Sequence, residues 1–596
     1  MERVGRESEQ ARMMLEAQAH QALEQQRWAH LQALAEQLLT LEPERTLYLE
    51  FLGRAFRGQA RLDDAERVLL QALALEPQAL AAQLSLGLVY VAMPRAEAAV
   101  SLFESLVALR PDWLEAWLNL GIAYKLTGQV SQAFEAYRRA HALAPAHTAA
   151  LNNIATFQLE LGLPTEAVET FCRAVALEPE NAYLHSSLVF SLLCDPKASH
   201  EQVREHLLRT PQTLVVQPPV PRFSPQHDWQ VERRLRIGYL TPNARAQSDF
   251  YFLQPLLSLH NHEQFYIHLY ADVQRPDAQT QLLASRCDAF THCYGDSDET
   301  LIQKVVADRI DILVELAGHT LGNRLRVLRH RPAPLQLSFH GVGSTGLIEV
   351  DARISDEYLA PEQNCPLELD PVLRLPRPAQ VYAAPRQLPA VTPPPHRFSG
   401  EITFGSFNNM AKLNERVLQV WSEILHAVPR SKLLLKSAGL MYPENRLRVV
   451  RFFEQRGIAE ERLRIIPFVE QSLGHLALYS GMDIALDPFP YGGCITTWEA
   501  LWMGVPVVTF AGQGFAGRMG AALMHALGLD SLISSNERRY IEVAVALAQD
   551  RSLLEQLRRQ LRPHVACSSV ADGEGLVRVL EQTYQTLWKE RVAKEI

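Results

Sequence analysis

Residues 482–509, MDIALDPFPYGGCITTWEALWMGVPVVT, read as a buried strand, a Gly-Gly turn, a helix and a second buried strand. Such a run is a βαβ unit, with a ligand position at its crossover. The apolar strand 484–486 ends at Asp487-Pro488, and Tyr491-Gly492-Gly493 lets backbone approach a bound group closely. Thr496 or Thr497 is placed to cap the following helix, whose free N–H groups suit a phosphate. Glu499 falls in what the sequence marks as the first helical turn, within reach of ribose hydroxyls, and Gly504-Val505-Pro506 leads into the strand 507–510. The arrangement suits a nucleotide-activated donor. An ordinary βαβ unit with a structural glycine pair fits the same residues, so the rest of the chain has to decide.

At 596 residues the chain exceeds one core and predicts three or four domains. A net charge of -9 with no long basic run argues against a nucleic-acid or membrane-surface protein. The seven cysteines are scattered, without a CxxC pair or zinc-type spacing, which fits a reducing cytoplasm and predicts no metal site. The first twenty residues are charged throughout, unlike a signal peptide, and no stretch reaches the roughly 20 apolar residues that span a bilayer. A cytoplasmic protein without a membrane span is expected.

The N-terminal third repeats. Leu-x-Pro recurs at 41–43, 75–77, 109–111, 143–145 and 177–179, each copy 34 residues after the last. Small residues recur where two helices must approach: Gly53, Gly87, Gly121 and Ala155 on the first helix, Ala65, Ala98, Ala133 and Ala167 on the second. This period and the run WLNLGIAY at 117–124 resemble the tetratricopeptide repeat, so an α-solenoid, a tetratricopeptide superhelix, is predicted over 11–206, its last unit from Asn181 incomplete. Asn119 and its counterpart Asn153 precede the Leu-Gly position, where side-chain amides can hold the backbone of an extended peptide; Ser85 and Ser187 interrupt that ladder. Two asparagines satisfying the helix interior are the plainer reading of the same positions.

A Pro-rich linker is predicted over 207–232, and short apolar runs at 237–240, 265–270, 311–316 and 335–339 then alternate with amphipathic stretches, an N-terminal Rossmann-like half over 233–384. A second Pro-rich linker, 385–399, precedes runs at 402–404, 433–436, 463–466, 484–486 and 507–510, a C-terminal Rossmann-like half over 400–596 whose last stretch, from 573, is a helix able to cross back onto the first half. In FGSFNNMAK at 404–412, Lys412 sits just past a strand end, where open α/β sheets bind ligands, and can neutralise a leaving diphosphate. His475 can stack on or hydrogen-bond a base, although a lone histidine is more often structural.

The repeats, FNNMAK, His475 and PYGG…TTWEALWMGVPVVT, with LRIGYL at 235–240, DILVELAGHT at 311–320 and RPAPLQ at 331–336, together resemble the protein O-GlcNAc transferase family, including its bacterial members and the plant SPINDLY proteins. The resemblance implies an α/β GT-B glycosyltransferase behind the solenoid, inverting transfer of a sugar to Ser or Thr of a protein held by the repeats, and no cofactor or metal. It implies UDP-GlcNAc as the donor substrate, held by Asn409, Lys412, His475, Gly492, Gly493, Thr496 and Glu499, with His319 at the cleft near the diphosphate or sugar.

The chain departs from the family around that sugar. Gln247 stands where the family usually carries a histidine, and glutamine cannot act as a general base. Asp249 or a donor phosphate oxygen is then the candidate acceptor of the hydroxyl proton. Gly492-Gly493-Cys494-Ile495-Thr496 replaces the family's Asn-Gly-His-Thr-Thr, and 340–346 lacks its Tyr-Pro pair. Two alternatives therefore stay open: a flagellin-type glycosyltransferase using another nucleotide sugar, and a catalytically decayed repeat scaffold. Whether the solenoid forms a homodimer is also open.

Overall fold

A computed structural model describes residues 2–214, 223, 227–247, 249–363, 365–385, 387–466, 468, 469 and 472–595. The chain divides into two compact units, Met1–Ile154 and Ala155–Ile596.

The first unit is built from antiparallel helix pairs: Thr46–Gly58 with Leu62–Leu75, Leu80–Ala92 with Ala96–Leu109, and Leu114–Leu126 with Val130–Leu143. The recurrent glycines explain the pairing. A Cβ on Gly53 would lie 2.6 Å from Leu69, one on Gly87 2.6 Å from Phe103, and one on Gly121 2.3 Å from Tyr137. Each large side chain of the second helix thus occupies the space that the first helix leaves open by lacking a side chain, and the spacing repeats with the 34-residue period. Gly121→Val is expected to destabilise this unit by about 1–3 kcal/mol through overpacking against Tyr137, read as a lowered thermal midpoint; an unchanged midpoint would show that the helices separate freely.

The second unit opens with the end of the helix Thr148–Glu160 and continues through Pro164–Leu177, Ala182–Cys194 and His200–Thr213. Asn181 caps the third of these by accepting from Tyr183 and Leu184 N–H, and Ser199 with Gln202 forms a capping box on the fourth. The repeat from Asn181, expected to be incomplete, is therefore a full helix pair. Its second helix runs through 207–213, which the sequence assigns to a linker; most of the remaining linker lies outside the described residues.

Two parallel sheets follow. The first has β1 (Leu235–Thr241), β2 (Phe265–Ala271), β3 (Ala289–His292), β4 (Ile312–Glu315), β5 (Leu335–Ser338), β6 (Ala352–Asp356) and β7 (Val372–Leu375) in the order β3-β2-β1-β4-β5-β6-β7. The second has β8 (Ile402–Ser406), β9 (Ser431–Leu435), β10 (Leu463–Ile465), β11 (Ile484–Leu486), β12 (Val507–Phe510) and β13 (Ile533–Ser534) in the order β10-β9-β8-β11-β12-β13. Strand order reverses between β1 and β4 and between β8 and β11, and at such a switch point the loops leaving the strand ends part to form a crevice.

The final helix, Gly573–Glu595, leaves the second sheet and packs on the first. Tyr584 meets Tyr239 of β1 hydroxyl to hydroxyl at 3.1 Å, and Trp588 stacks on Trp229 with ring centroids 5.6 Å apart. Among the described residues, no helix is long and apolar enough to cross a membrane.

Candidate active site

The loops leaving β1, β4, β8 and β11 line one cleft of about 920 Å³ between the two sheets. From the first sheet come Gln247, Asp249, Ala317, Thr320 and His340; from the second come Asn409, Lys412, Lys436, His475, Cys494, Thr496 and Glu499.

Lys412 lies in a one-turn 3-10 helix opened by Asn409, whose side chain accepts from Ala411 N–H at 3.0 Å. Its Nζ donates to the Gly492 carbonyl at 2.8 Å and sits 3.8 Å from the centroid of the Tyr491 ring. Burial pulls this ammonium below the usual lysine range, against the opposing fields of Asp487 and Asp249. Among the described residues no carboxylate is ion-paired to it, so the cation is left for a ligand.

Gly493 is glycine for a steric reason: a Cβ there would lie 2.4 Å from Asp487 Oδ1 and 2.5 Å from Thr497 Oγ1. Gly492 has room for a side chain, its nearest neighbour to a Cβ being 3.6 Å away, and contributes its carbonyl instead. The helix that follows, Ile495–Trp502, corrects two expectations. Its N-cap is Cys494, without a side-chain cap bond, because both threonines lie inside the first turn and are drawn sideways. Thr496 donates to Asn408 Oδ1 at 2.9 Å, and Thr497 donates to the Asp487 carboxylate at 3.0 and 3.1 Å. Glu499 is the fifth residue of the helix, past the first turn, and reaches the cleft wall from there.

Glu499 is 7% exposed, accepts from Tyr479 Oη at 2.9 Å and pairs with His475 Nε2 at 2.8 Å. Lys436 Nζ donates to His475 Nδ1, so the ring carries its proton on Nε2 and donates it to Glu499. Lys436 also sits between the rings of Phe407 and Phe468, 5.4 and 5.3 Å away, and burial lowers its ammonium to about 8 although Glu499 opposes this. No motif marks Lys436 in the sequence; its one signal is its position just past the end of β9.

Asp249 begins the helix Phe250–Ser258 without capping it, and burial raises its carboxyl above the usual range while Arg245 and Lys412 pull it down. Beside it in the cleft wall, Gln247 has a buried Nε2 with no hydrogen-bond partner among the described residues. Cys494 also faces the cleft, 3.7 Å from Gln380 Oε1, its thiol raised to about 12 by burial.

His319 is placed differently from expectation. It is 2% exposed behind the cleft wall, with Nδ1 3.2 Å from Ser186 Oγ and Nε2 3.3 Å from the Thr345 carbonyl, and burial lowers it to about 3. Its neighbours Ala317 and Thr320 line the cleft and it does not; its ring nitrogens are engaged by a repeat helix and a loop that no local motif shows. In the first unit, Asn119 and Asn153 are half-buried on the first helices of their repeats, and Asn119 Nδ2 donates to its own helix at Glu115 O, 2.7 Å away. Among the described residues no group of three or more His, Cys, Asp or Glu side chains is placed to hold a metal ion.

Two Rossmann-like sheets that share a cleft, behind helical repeats, define a GT-B glycosyltransferase architecture. The chain belongs to glycosyl transferase family 41, whose profile matches residues 184–368 and 395–576. Tetratricopeptide repeat profiles match 51–112, 114–147 and 148–181. Among curated relatives, SPINDLY of Arabidopsis thaliana is 37% identical over 370 residues, 61% of this chain and 40% of that protein, and SPINDLY of Petunia hybrida is 36% identical over 363 residues, 60% and 39%. Both are described as "Probable UDP-N-acetylglucosamine--peptide N-acetylglucosaminyltransferase". The chain thus spans about 40% of the length of these relatives. A mutant of Thermobaculum terrenum O-GlcNAc transferase superposes with a TM-score of 0.80 at 30% identity, covering 87% of this chain and 100% of that one.

Proposed function

We propose that the protein is an inverting protein O-glycosyltransferase that transfers GlcNAc from UDP-GlcNAc to Ser or Thr of a protein recruited by the repeats. The observation that carries this reading is the half-buried Lys412 ammonium, which faces the cleft and is ion-paired to no carboxylate among the described residues. A leaving nucleoside diphosphate develops negative charge as the sugar bond breaks, and a fixed cation in a desolvated site stabilises that charge with little reorganisation. Lys412 fills this role from the protein itself, so no cofactor or metal is part of the proposal. Gly492 and Gly493 bring backbone to the phosphates, Thr496 and Asn409 flank them, and Glu499, oriented by Tyr479 and His475, receives the ribose hydroxyls.

Proton transfer from the acceptor hydroxyl falls to Asp249 or to a donor phosphate oxygen. His319 is too enclosed for that role and supports the cleft wall. The raised carboxyl of Asp249 makes it a better base than an ordinary aspartate, since base strength rises with pKa. Asn119 and Asn153 remain candidates for holding an acceptor backbone, Asn119 with its carbonyl oxygen and one amide N–H, the other N–H being engaged within its own helix.

Incubation with UDP-GlcNAc and Ser/Thr-containing protein, followed by mass spectrometry, tests the proposal through the addition of one N-acetylhexosamine to a hydroxyl side chain. Transfer of a different sugar, from another nucleotide donor, would support the second reading, which the altered loop Gly492–Thr496, with Cys494 in the cleft wall, favours. The kcat/KM for the donor is expected to fall severalfold as pH rises through about 8, where Lys436 of the free enzyme loses its proton. Lys436→Arg should keep the rate level to higher pH, and an unchanged fall in that variant would assign the titration to another group.

A further inference from the structure

The Lys412 ammonium sits over the face of an aromatic ring and is ion-paired to no carboxylate among the described residues. A carboxylate would neutralise the ammonium and compete with an anionic ligand; the face of a ring attracts the cation and leaves its charge intact. That ring, Tyr491, is 6% exposed and is itself held by Phe190, whose ring centroid lies 5.9 Å away at an interplanar angle of 63°, the edge-to-face arrangement that aromatic pairs favour. Phe190 does not belong to either sheet. It comes from the repeat helix Ala182–Cys194.

We infer that Phe190 and Tyr491 are positioning residues for the diphosphate-binding cation, so that a helix of the repeat segment sets the affinity of the donor site for the diphosphate. The inference rests on the donor reading above. It gives the terminal repeat a part in donor binding in addition to any part in recruiting the acceptor, because a shift of this helix moves Phe190, then Tyr491, then the Lys412 ammonium.

The test is calorimetric titration of the full chain with UDP and with UMP, in the wild type and in Phe190→Leu, Tyr491→Leu and Tyr491→Phe. Phe190→Leu keeps an apolar side chain on the helix while removing the ring edge, and Tyr491→Phe keeps the ring that faces Lys412. Tyr491→Leu is expected to weaken UDP about tenfold, the loss of one desolvated cation–π contact. Phe190→Leu should weaken it by less, in the same direction, and Tyr491→Phe should stay within about twofold of wild type because the quadrupole is a property of the ring. UMP, which lacks the second phosphate, should be affected less than UDP in every variant. Equal losses for UDP and UMP would reveal a general loosening of the cleft and overturn the inference, as would unchanged UDP binding in Tyr491→Leu. A wild type that binds no UDP would overturn the donor reading and this inference with it.

Discussion

Lys412→Ala is expected to reduce transfer by about 10²–10³-fold, the range seen when one preorganised group facing the developing charge is removed. UDP binding should weaken as well, since the same ammonium faces the ground-state diphosphate. The loss is large because no second cation in the described cleft wall is placed to substitute: Lys436 is engaged with His475 and lies between Phe407 and Phe468. Lys412→Arg should restore only part of the rate. A guanidinium keeps the charge, but its planar fork does not fit the point-like seat made by the Gly492 carbonyl and the Tyr491 ring. Steady-state donor hydrolysis and transfer, with thermal unfolding to verify the fold, check this. Alanine at 412 with activity within threefold of wild type would remove Lys412 from the mechanism.

The second large effect concerns where the chain can be cut. If the repeats only recruited a protein, removing 1–206 would spare the donor site. The structure moves the boundary. Residues 155–213 share a hydrophobic core with the first sheet through Leu188, Val189, Leu192, Val203 and Leu207. Ser186 holds His319, Arg448 donates to the Leu161 carbonyl, and the Glu160 carbonyl lies so near Gly439 that a Cβ there would meet it at 2.2 Å. One helical segment is thus bonded to both halves. Deleting 1–154 is expected to leave a folded unit that binds UDP with wild-type affinity and modifies protein poorly. Deleting 1–206 should lose cooperative unfolding and UDP binding together, because it exposes that shared core. Wild-type UDP binding by the shorter chain would show the two parts to be independent.

Much of this organisation is legible in the sequence, and the failures have identifiable causes. The repeats announce themselves because each glycine must face a large side chain 16 residues on, which imposes the period. Strands β11 and β12 were located to the residue, being apolar runs with turn residues on both sides. Strand β6 was missed because ARISD reads as polar, yet Arg353 is 1% exposed, donates to the Gly341 carbonyl and lies over the Phe515 ring. Strand β3 was missed because its residues alternate between half-buried and exposed at the sheet edge, leaving no apolar run.

At the site, Lys412 and Glu499, read from local motifs, both line the cleft. What a motif cannot show is which side chain a distant element will claim. Ser186, 133 residues before His319, draws that ring out of the cleft, and Lys436 enters it by meeting a histidine 39 residues later. The threonines were misread as caps for the same reason, since their partners Asn408 and Asp487 belong to other loops.

The proposed chemistry stands on a nucleoside diphosphate bound in this cleft through Lys412. Calorimetric titration of the full chain and of Lys412→Ala with UDP, UDP-GlcNAc, GDP and CMP tests it most directly. UDP and UDP-GlcNAc are expected to bind the wild type and to fail to bind the variant. Binding of none of the four by a folded wild type would contradict it and leave a repeat scaffold with an unused cleft.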